Sequence, residues 1–232
     1  MTSIKKNINL LYRIIVLSIN QIFIFQIPYY HNIDIIDTNE NIYGLFSFIS
    51  NEEKNLISYP NKIKGHITIK NYLNEKNIEI NAHENEIAYF TFNKNGNFLA
   101  TASEKGTLIR IFDTENANLI HEFRRGQEIV QIYNIVFSDN NEFFALSSNK
   151  GTIHIFCISD KKKDNIISFW PFKNKNEYSF AKIRINESNS ICCFDEENKS
   201  VFLICGNGKF YHADIDLKNG GECKIIEEKS LI

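Results

Sequence analysis

The sequence predicts an all-β fold, a WD40-like β-propeller of about five blade units, and three observations carry that prediction. Part of the chain repeats at an offset of 45 residues, from Phe92 to Phe137. Each copy holds short apolar strands separated by polar and glycine turns, and no segment shows the apolar period of a helix. The 232 residues are 43% hydrophobic and 23% charged, enough apolar material for a sizeable core. With three prolines, ten glycines and no Gly/Ser-rich linker, one domain spanning 1–232 is expected.

The units are expected at about 1–41, which is incomplete, then 42–86, 87–128, 129–177 and 178–232. In the first, the apolar stretch Leu10 to Ile27 follows Lys5 and Lys6 and has the look of a signal or anchor. Arg13, Ser18, Asn20, Gln21 and Gln26 interrupt it, so strand, turn and strand is the preferred reading. The second opens at Phe48-Ile49-Ser50-Asn51 and has its glycine turn at Gly65-His66-Ile67-Thr68. The third and fourth are the clearest copies. Phe92-Asn93-Lys94-Asn95-Gly96-Asn97-Phe98-Leu99-Ala100 returns as Phe137-Ser138-Asp139-Asn140-Asn141-Glu142-Phe143-Phe144-Ala145, and Ser103-Glu104-Lys105-Gly106-Thr107 as Ser148-Asn149-Lys150-Gly151-Thr152. Ile111-Phe112-Asp113 stands where a WD dipeptide belongs. The fifth opens near Ile185-Asn186-Glu187-Ser188 and turns at Asn207-Gly208-Lys209-Phe210. Five such units either close on themselves or belong to a ring whose N-terminal blades this chain lacks, because an open arc bares strand edges and apolar faces.

Between the fourth and fifth units the period breaks, since Gly151 and Gly208 lie 57 residues apart. The insertion Ser159 to Asn176 carries Ile166, Ile167, Phe169, Trp170 and Phe172 among Lys161, Lys162, Lys163, Lys173 and Lys175. An apolar wedge in a basic collar is the composition of a membrane-dipping loop. The same residues also suit a long loop whose aromatics fold back onto the blade.

A formal net charge of −2 excludes a globally basic nucleic-acid binder, so no nucleic-acid partner is expected. Five cysteines without a C-x-x-C pair suit reduced thiols and a cytoplasmic chain. The six histidines lack metal-ligand spacing, Gly206-Asn207-Gly208-Lys209 lacks the spacing of a phosphate-binding P-loop, and no nucleophile-elbow or kinase signature occurs. No metal, no cofactor and no enzymatic activity are therefore expected.

Phe123-Arg124-Arg125-Gly126 ends the third unit, where a fourth strand belongs. Neighbours on a strand point to opposite faces, so the two guanidiniums diverge and serve two separate anion sites. A guanidinium donates two parallel hydrogen bonds to phosphate and keeps its charge when partly buried. The repeat sets a hydroxyl pair beside each arginine, Ser103 with Thr107 and Ser148 with Thr152. Arg110 and His154 each stand two residues before a phenylalanine, Phe112 and Phe156. Surface salt bridges are the alternative use of such arginines.

The run Leu99-Ala100-Thr101-Ala102-Ser103-Glu104-Lys105-Gly106-Thr107-Leu108-Ile109-Arg110-Ile111-Phe112, the F-R-R-G motif and Ser147-Ser148-Asn149-Lys150-Gly151-Thr152-Ile153-His154-Ile155-Phe156 resemble the PROPPIN family. The segments Ala82-His83-Glu84-Asn85-Glu86-Ile87-Ala88 and Glu177-Tyr178-Ser179-Phe180-Ala181 resemble the family's sequence leading into its fifth and seventh blades. The resemblance implies a seven-bladed propeller of which two N-terminal blades are absent here. It also implies binding of phosphatidylinositol 3-phosphate and 3,5-bisphosphate. Carried over, one headgroup site comprises His83, Thr101, Ser103, Gly106, Thr107, Arg110 and Arg124, and a second Arg125, Gly126, Ser148, Thr152 and His154. The insertion takes the place of the family's membrane-inserting loop. Expected partners are phosphoinositide membranes and autophagy or trafficking proteins, with peripheral attachment to endosomal, vacuolar or autophagosomal membranes. The rival reading is a WD-repeat scaffold that binds proteins alone.

Overall fold

The computed structural model describes residues 13–27, 31–158 and 178–232. The insertion residues Ile166, Ile167, Phe169, Trp170 and Phe172 lie outside the described residues. Among those described there are strands and turns and no helix.

Four units fold as antiparallel meanders whose order in the sheet is their order in the chain. The first blade comprises β1 (Arg13–Leu17), β2 (Gln21–Gln26) and β3 (His31–Asp37), and the second β4 (Ser47–Ser50), β5 (Asn55–Pro60), β6 (His66–Asn71) and β7 (Lys76–Asn81). In the third are β8 (Ile87–Phe92), β9 (Phe98–Ser103), β10 (Leu108–Asp113) and β11 (Leu119–Arg124), and in the fourth β12 (Ile132–Phe137), β13 (Phe143–Ser148), β14 (Thr152–Cys157) and β15 (Ala181–Arg184). The chain then forms β16 (Ser190–Phe194), β17 (Ser200–Cys205), β18 (Lys209–Asp214), β19 (Gly221–Glu222) and β20 (Lys224–Ser230). The fifth blade is β16-β17-β18-β20, while β19 leaves it to pair in parallel with β15. This differs from the expected boundary at 177/178. The outer strand of the fourth blade is Ala181–Arg184, paired with β14, so that blade takes its last strand from beyond the insertion.

The first strands β4, β8, β12 and β16 contact one another in sequence and so stand side by side along the axis. Period-two alternation then gives each blade two faces. In β10, Ile109 and Ile111 are fully buried on one face while Arg110 occupies the other. The apolar clusters accordingly lie between blades. Leu99 and Phe112 pack with Leu56, Ile67 and Ile80 of the second blade, while Ala100, Ile109, Ile111 and Phe123 pack with Phe144 and Phe156 of the fourth. The latter interface is aromatic. Phe123 meets Phe144 edge-on at 4.9 Å, and Phe144 stacks on Phe156 at 4.8 Å, each fully buried ring contributing about 1.5–3 kcal/mol. The two ends of the arc are uncovered, with Ile14, Val16 and Ile35 exposed on the first blade and Ile191 and Ile204 on the last.

The turn between the second and third strands of the third blade seats the following blade. Gly106 has φ +60°, and a Cβ there would stand 2.3 Å from the carbonyl oxygen of Val130. Only glycine allows both that backbone conformation and that approach.

Candidate functional site

The ladder around β10 fixes one face of the third blade. Arg110 stands opposite Thr101 on β9 and Glu122 on β11, and Leu108 stands opposite Arg124. Directly opposed residues share a face, so Thr101, Arg110, Glu122 and Arg124 all turn toward the second blade, as Leu99 and Phe112 do. Arg110 donates from Nε to Glu122 Oε2 at 2.8 Å and from Nη1 to the Ala82 carbonyl at 2.6 Å, tying the two blades together. His83, which follows β7, reaches across the cleft to Thr101 Oγ1 with Nε2 at 2.9 Å. Burial, reinforced by the Arg110 charge, pushes the His83 pKa down to about 4, so the ring is neutral. Ser103 is buried beside the Gly106 turn, and Thr107 and Arg124 are half-buried. The Arg124 side chain has no hydrogen-bond or ion-pair partner among the described residues. His83, Thr101 and Arg110 thus form one bonded group, with Ser103, Gly106, Thr107 and Arg124 at its rim.

Arg125 follows the last residue of β11 and turns the other way. Its backbone N–H donates to Thr107 O at 2.9 Å, its Nε to Gly106 O at 2.8 Å, and its Nη2 to Glu128 O. Burial lowers its pKa from the ordinary arginine value. Facing it on the fourth blade is the row Leu146, His154 and Lys182, joined across β13, β14 and β15, with Thr152 opposite Arg184. Leu146 and Phe156 of this face belong to the core shared with the third blade, so His154 and Thr152 point into the same cleft. Burial and then the charges of Lys182, Arg125 and Arg184 push the His154 pKa down to about 3. Ser148 is 1% exposed, and its Oγ and the Nδ1 of His154 are buried with no hydrogen-bond partner among the described residues. Buried polar atoms are rarely left unpaired, since each costs about 1–3 kcal/mol. Gly126 is half-buried, with no atom within 4 Å of where a Cβ would stand.

The next cleft is an internal control. Tyr211 follows Gly208 by three residues, as His154 follows Gly151, and it lies in the core shared by the fourth and fifth blades. Here the polar groups satisfy one another. Tyr211 donates to Glu187 at 2.7 Å, and Lys209 pairs with Glu187 at 2.9 Å and with Glu228 at 3.1 Å. The cleft holding Arg125 has cations and orphaned polar atoms where this one has carboxylates.

Sequence reasoning missed Glu122, Lys182 and Arg184. Glu122 carried a readable signal, standing two residues before Arg124 and so on its face. Lys182 and Arg184 lie on the strand that the insertion displaces from the 45-residue register, so no repeat position pointed to them.

A model of the PROPPIN family matches residues 1–170. The chain is 34% identical to Autophagy-related protein 18e of Arabidopsis thaliana, over 84% of this chain and 54% of that protein. It is 31% identical to WD repeat domain phosphoinositide-interacting protein 1 of Homo sapiens, over 88% of this chain and 54% of that protein. The chain therefore spans about half the length of the curated relatives it matches. Among solved structures, Kluyveromyces lactis Hsv2 superposes with a TM-score of 0.79 over 95% of this chain and 71% of that one, at 21% identity, which is a likeness of fold.

Proposed function

This chain belongs to the PROPPIN family, and from that premise we propose that it is a peripheral membrane effector whose two inter-blade clefts bind 3-phosphorylated phosphoinositide headgroups. The lipids are phosphatidylinositol 3-phosphate and 3,5-bisphosphate. The setting is autophagic or endolysosomal traffic, where the chain acts from the cytoplasm on endosomal, vacuolar or autophagosomal membranes. It works by binding and recruiting trafficking proteins, without catalysis.

The observation that carries this reading is the pair of orphaned atoms, Ser148 Oγ and His154 Nδ1, buried among Arg125, Lys182 and Arg184. A phosphate supplies what they lack. Its oxygens accept from the Ser148 hydroxyl and from an Nδ1–H tautomer of His154, while Arg125 and Lys182 balance its charge. In the first cleft Arg124 supplies the guanidinium, and Arg110, held by Glu122, positions the His83–Thr101 pair. Two modest sites on one rim act together by avidity. The composition of Ser159 to Asn176, with Trp170 and its lysine collar, supports a second, apolar anchor.

A protein-only scaffold draws support from the arginine contacts, because Arg110 is paired with Glu122 and Arg125 donates to two carbonyls. Flotation with liposomes containing phosphatidylinositol, its 3-phosphate or its 3,5-bisphosphate separates the two readings. Headgroup-dependent flotation that a soluble inositol phosphate competes away supports lipid recognition, and equal flotation with all three lipids overturns it.

A further inference from the structure

Apart from the polar clefts between blades, a separate opening of about 390 Å³ lies at the axial ends of the third and fourth blades. Its floor is apolar, made by Ile87 at the start of β8, Ile132 at the start of β12, and Val130 between the blades. Two rim residues, Tyr43 and Ile129, are each 72% exposed, and Ile42 beside Tyr43 extends the apolar surface beyond the opening. The one charged side chain lining it is Glu104, which is exposed and has no ion-pair partner among the described residues. Glu86, also exposed, is adjacent through the hydrogen bond from Glu104 N–H to its carbonyl at 2.9 Å.

We infer that this cleft is a docking site for a peptide segment of a protein partner that presents a bulky apolar side chain followed by lysine or arginine. A volume of this order holds one aromatic or branched side chain with the stem of its neighbour. Aromatic and isoleucine groups left bare around a concave apolar floor form the kind of surface that buries a partner's anchor residue. The carboxylate selects the charge. It repels an anionic lipid surface and attracts an ammonium or guanidinium, the reverse of the two clefts beside it. A small apolar molecule would leave Ile42 and the outer face of Ile129 uncovered, whereas a peptide chain crosses the rim.

The docking cleft shares a wall with the first polar cleft. Val130 lines it, and its carbonyl stands against Gly106. A bound partner therefore abuts the turn that carries Ser103 and Thr107 without occupying their cleft.

The test uses the 232-residue chain and fluorescence anisotropy with two labelled peptides, Gly-Ile-Trp-Lys-Arg-Gly and its acidic twin Gly-Ile-Trp-Glu-Asp-Gly. The basic peptide is expected to bind at least about tenfold more tightly than the acidic one, and Ile129→Ser or Tyr43→Ser to weaken it by about tenfold. Glu104→Lys is expected to reverse the preference. Both rim positions are exposed, so their variants should keep the wild-type melting temperature. Equal binding of the two peptides, no saturation by ~1 mM, or indifference to Ile129→Ser overturns the proposal. Concentration-dependent self-association that Ile129→Ser abolishes would assign the face to a second copy of this chain and would overturn it too.

Discussion

His154 and Lys182 stand directly opposite each other across the β14–β15 ladder, so a strand that follows the insertion delivers an ammonium beside a buried neutral imidazole. The same cleft contains Ser148 Oγ, which has no hydrogen-bond partner among the described residues. Stability and binding should therefore diverge at this position. Ser148→Ala removes an unpaired buried hydroxyl and is expected to stabilise the chain by about 1 kcal/mol, read from urea unfolding, while weakening liposome binding. A loss of stability would show that the hydroxyl is already satisfied in the unliganded protein.

Arg124 and Arg125 serve different clefts, so their losses should combine through avidity. Either Arg→Thr change alone is expected to leave measurable flotation on liposomes bearing phosphatidylinositol 3-phosphate, and the double change to abolish it. Thermal unfolding should be nearly unaltered by Arg124→Thr, whereas Arg125→Thr also removes the bonds to Gly106 O and Glu128 O and should lower the melting temperature modestly. Complete loss from one substitution would point to a single shared site.

The third polar cleft supplies a matched negative control. Lys209→Ala and Glu187→Gln break the network around Tyr211 and should lower the urea midpoint without changing flotation. If either variant alters headgroup selectivity, the contrast between the clefts is mistaken.

Acid should destabilise the chain through its two buried histidines. Their pKa values are about 4 for His83 and about 3 for His154, against roughly 6.5 when unfolded. Between those limits the unfolded chain binds protons that the folded chain does not, so stability rises with pH and levels off above about 6.5. At pH 5 each histidine costs on the order of 2 kcal/mol relative to neutral pH. Urea midpoints at pH 5 and pH 7 should differ less in the His83→Gln/His154→Gln variant than in the wild type, and an equal difference would exclude the histidines as its source.

Gly106 tests the seating of one blade against the next. Ala at φ +60°, with its Cβ 2.3 Å from Val130 O, should cost more than about 1 kcal/mol and weaken the first cleft together with the fold. Unchanged stability would mean that the turn moves without consequence.

Much of this architecture was legible because a propeller writes itself twice into the sequence, once as a 45-residue period and once as strand alternation. The alternation alone separates Arg124 from Arg125 onto opposite faces, and the repeat brings Thr152 and His154 to the cleft. Long-range pairings were not legible. The ion pair between Arg110 and Glu122 depends on the register of β10 with β11, and Lys182 and Arg184 reach the second cleft only because β15 joins the fourth blade after the insertion. Such pairings depend on tertiary register, which local spacing cannot supply once the period is broken.

The parallel pairing of β19 with β15 also has a mechanical consequence. Gly221 N–H donates to Phe180 O at 2.9 Å and Cys223 N–H to Lys182 O at 2.8 Å, so a segment of the fifth blade clasps the outer strand of the fourth. That outer strand is the first to follow the insertion along the chain. Tension pulling on the insertion would load β14 on one side and β15 on the other, and freeing β15 would mean shearing two ladders, one to β14 and one to β19. The load is spread over two blades and over backbone bonds that truncating a side chain leaves in place, so these blades should yield as one unit when the chain is drawn toward a surface.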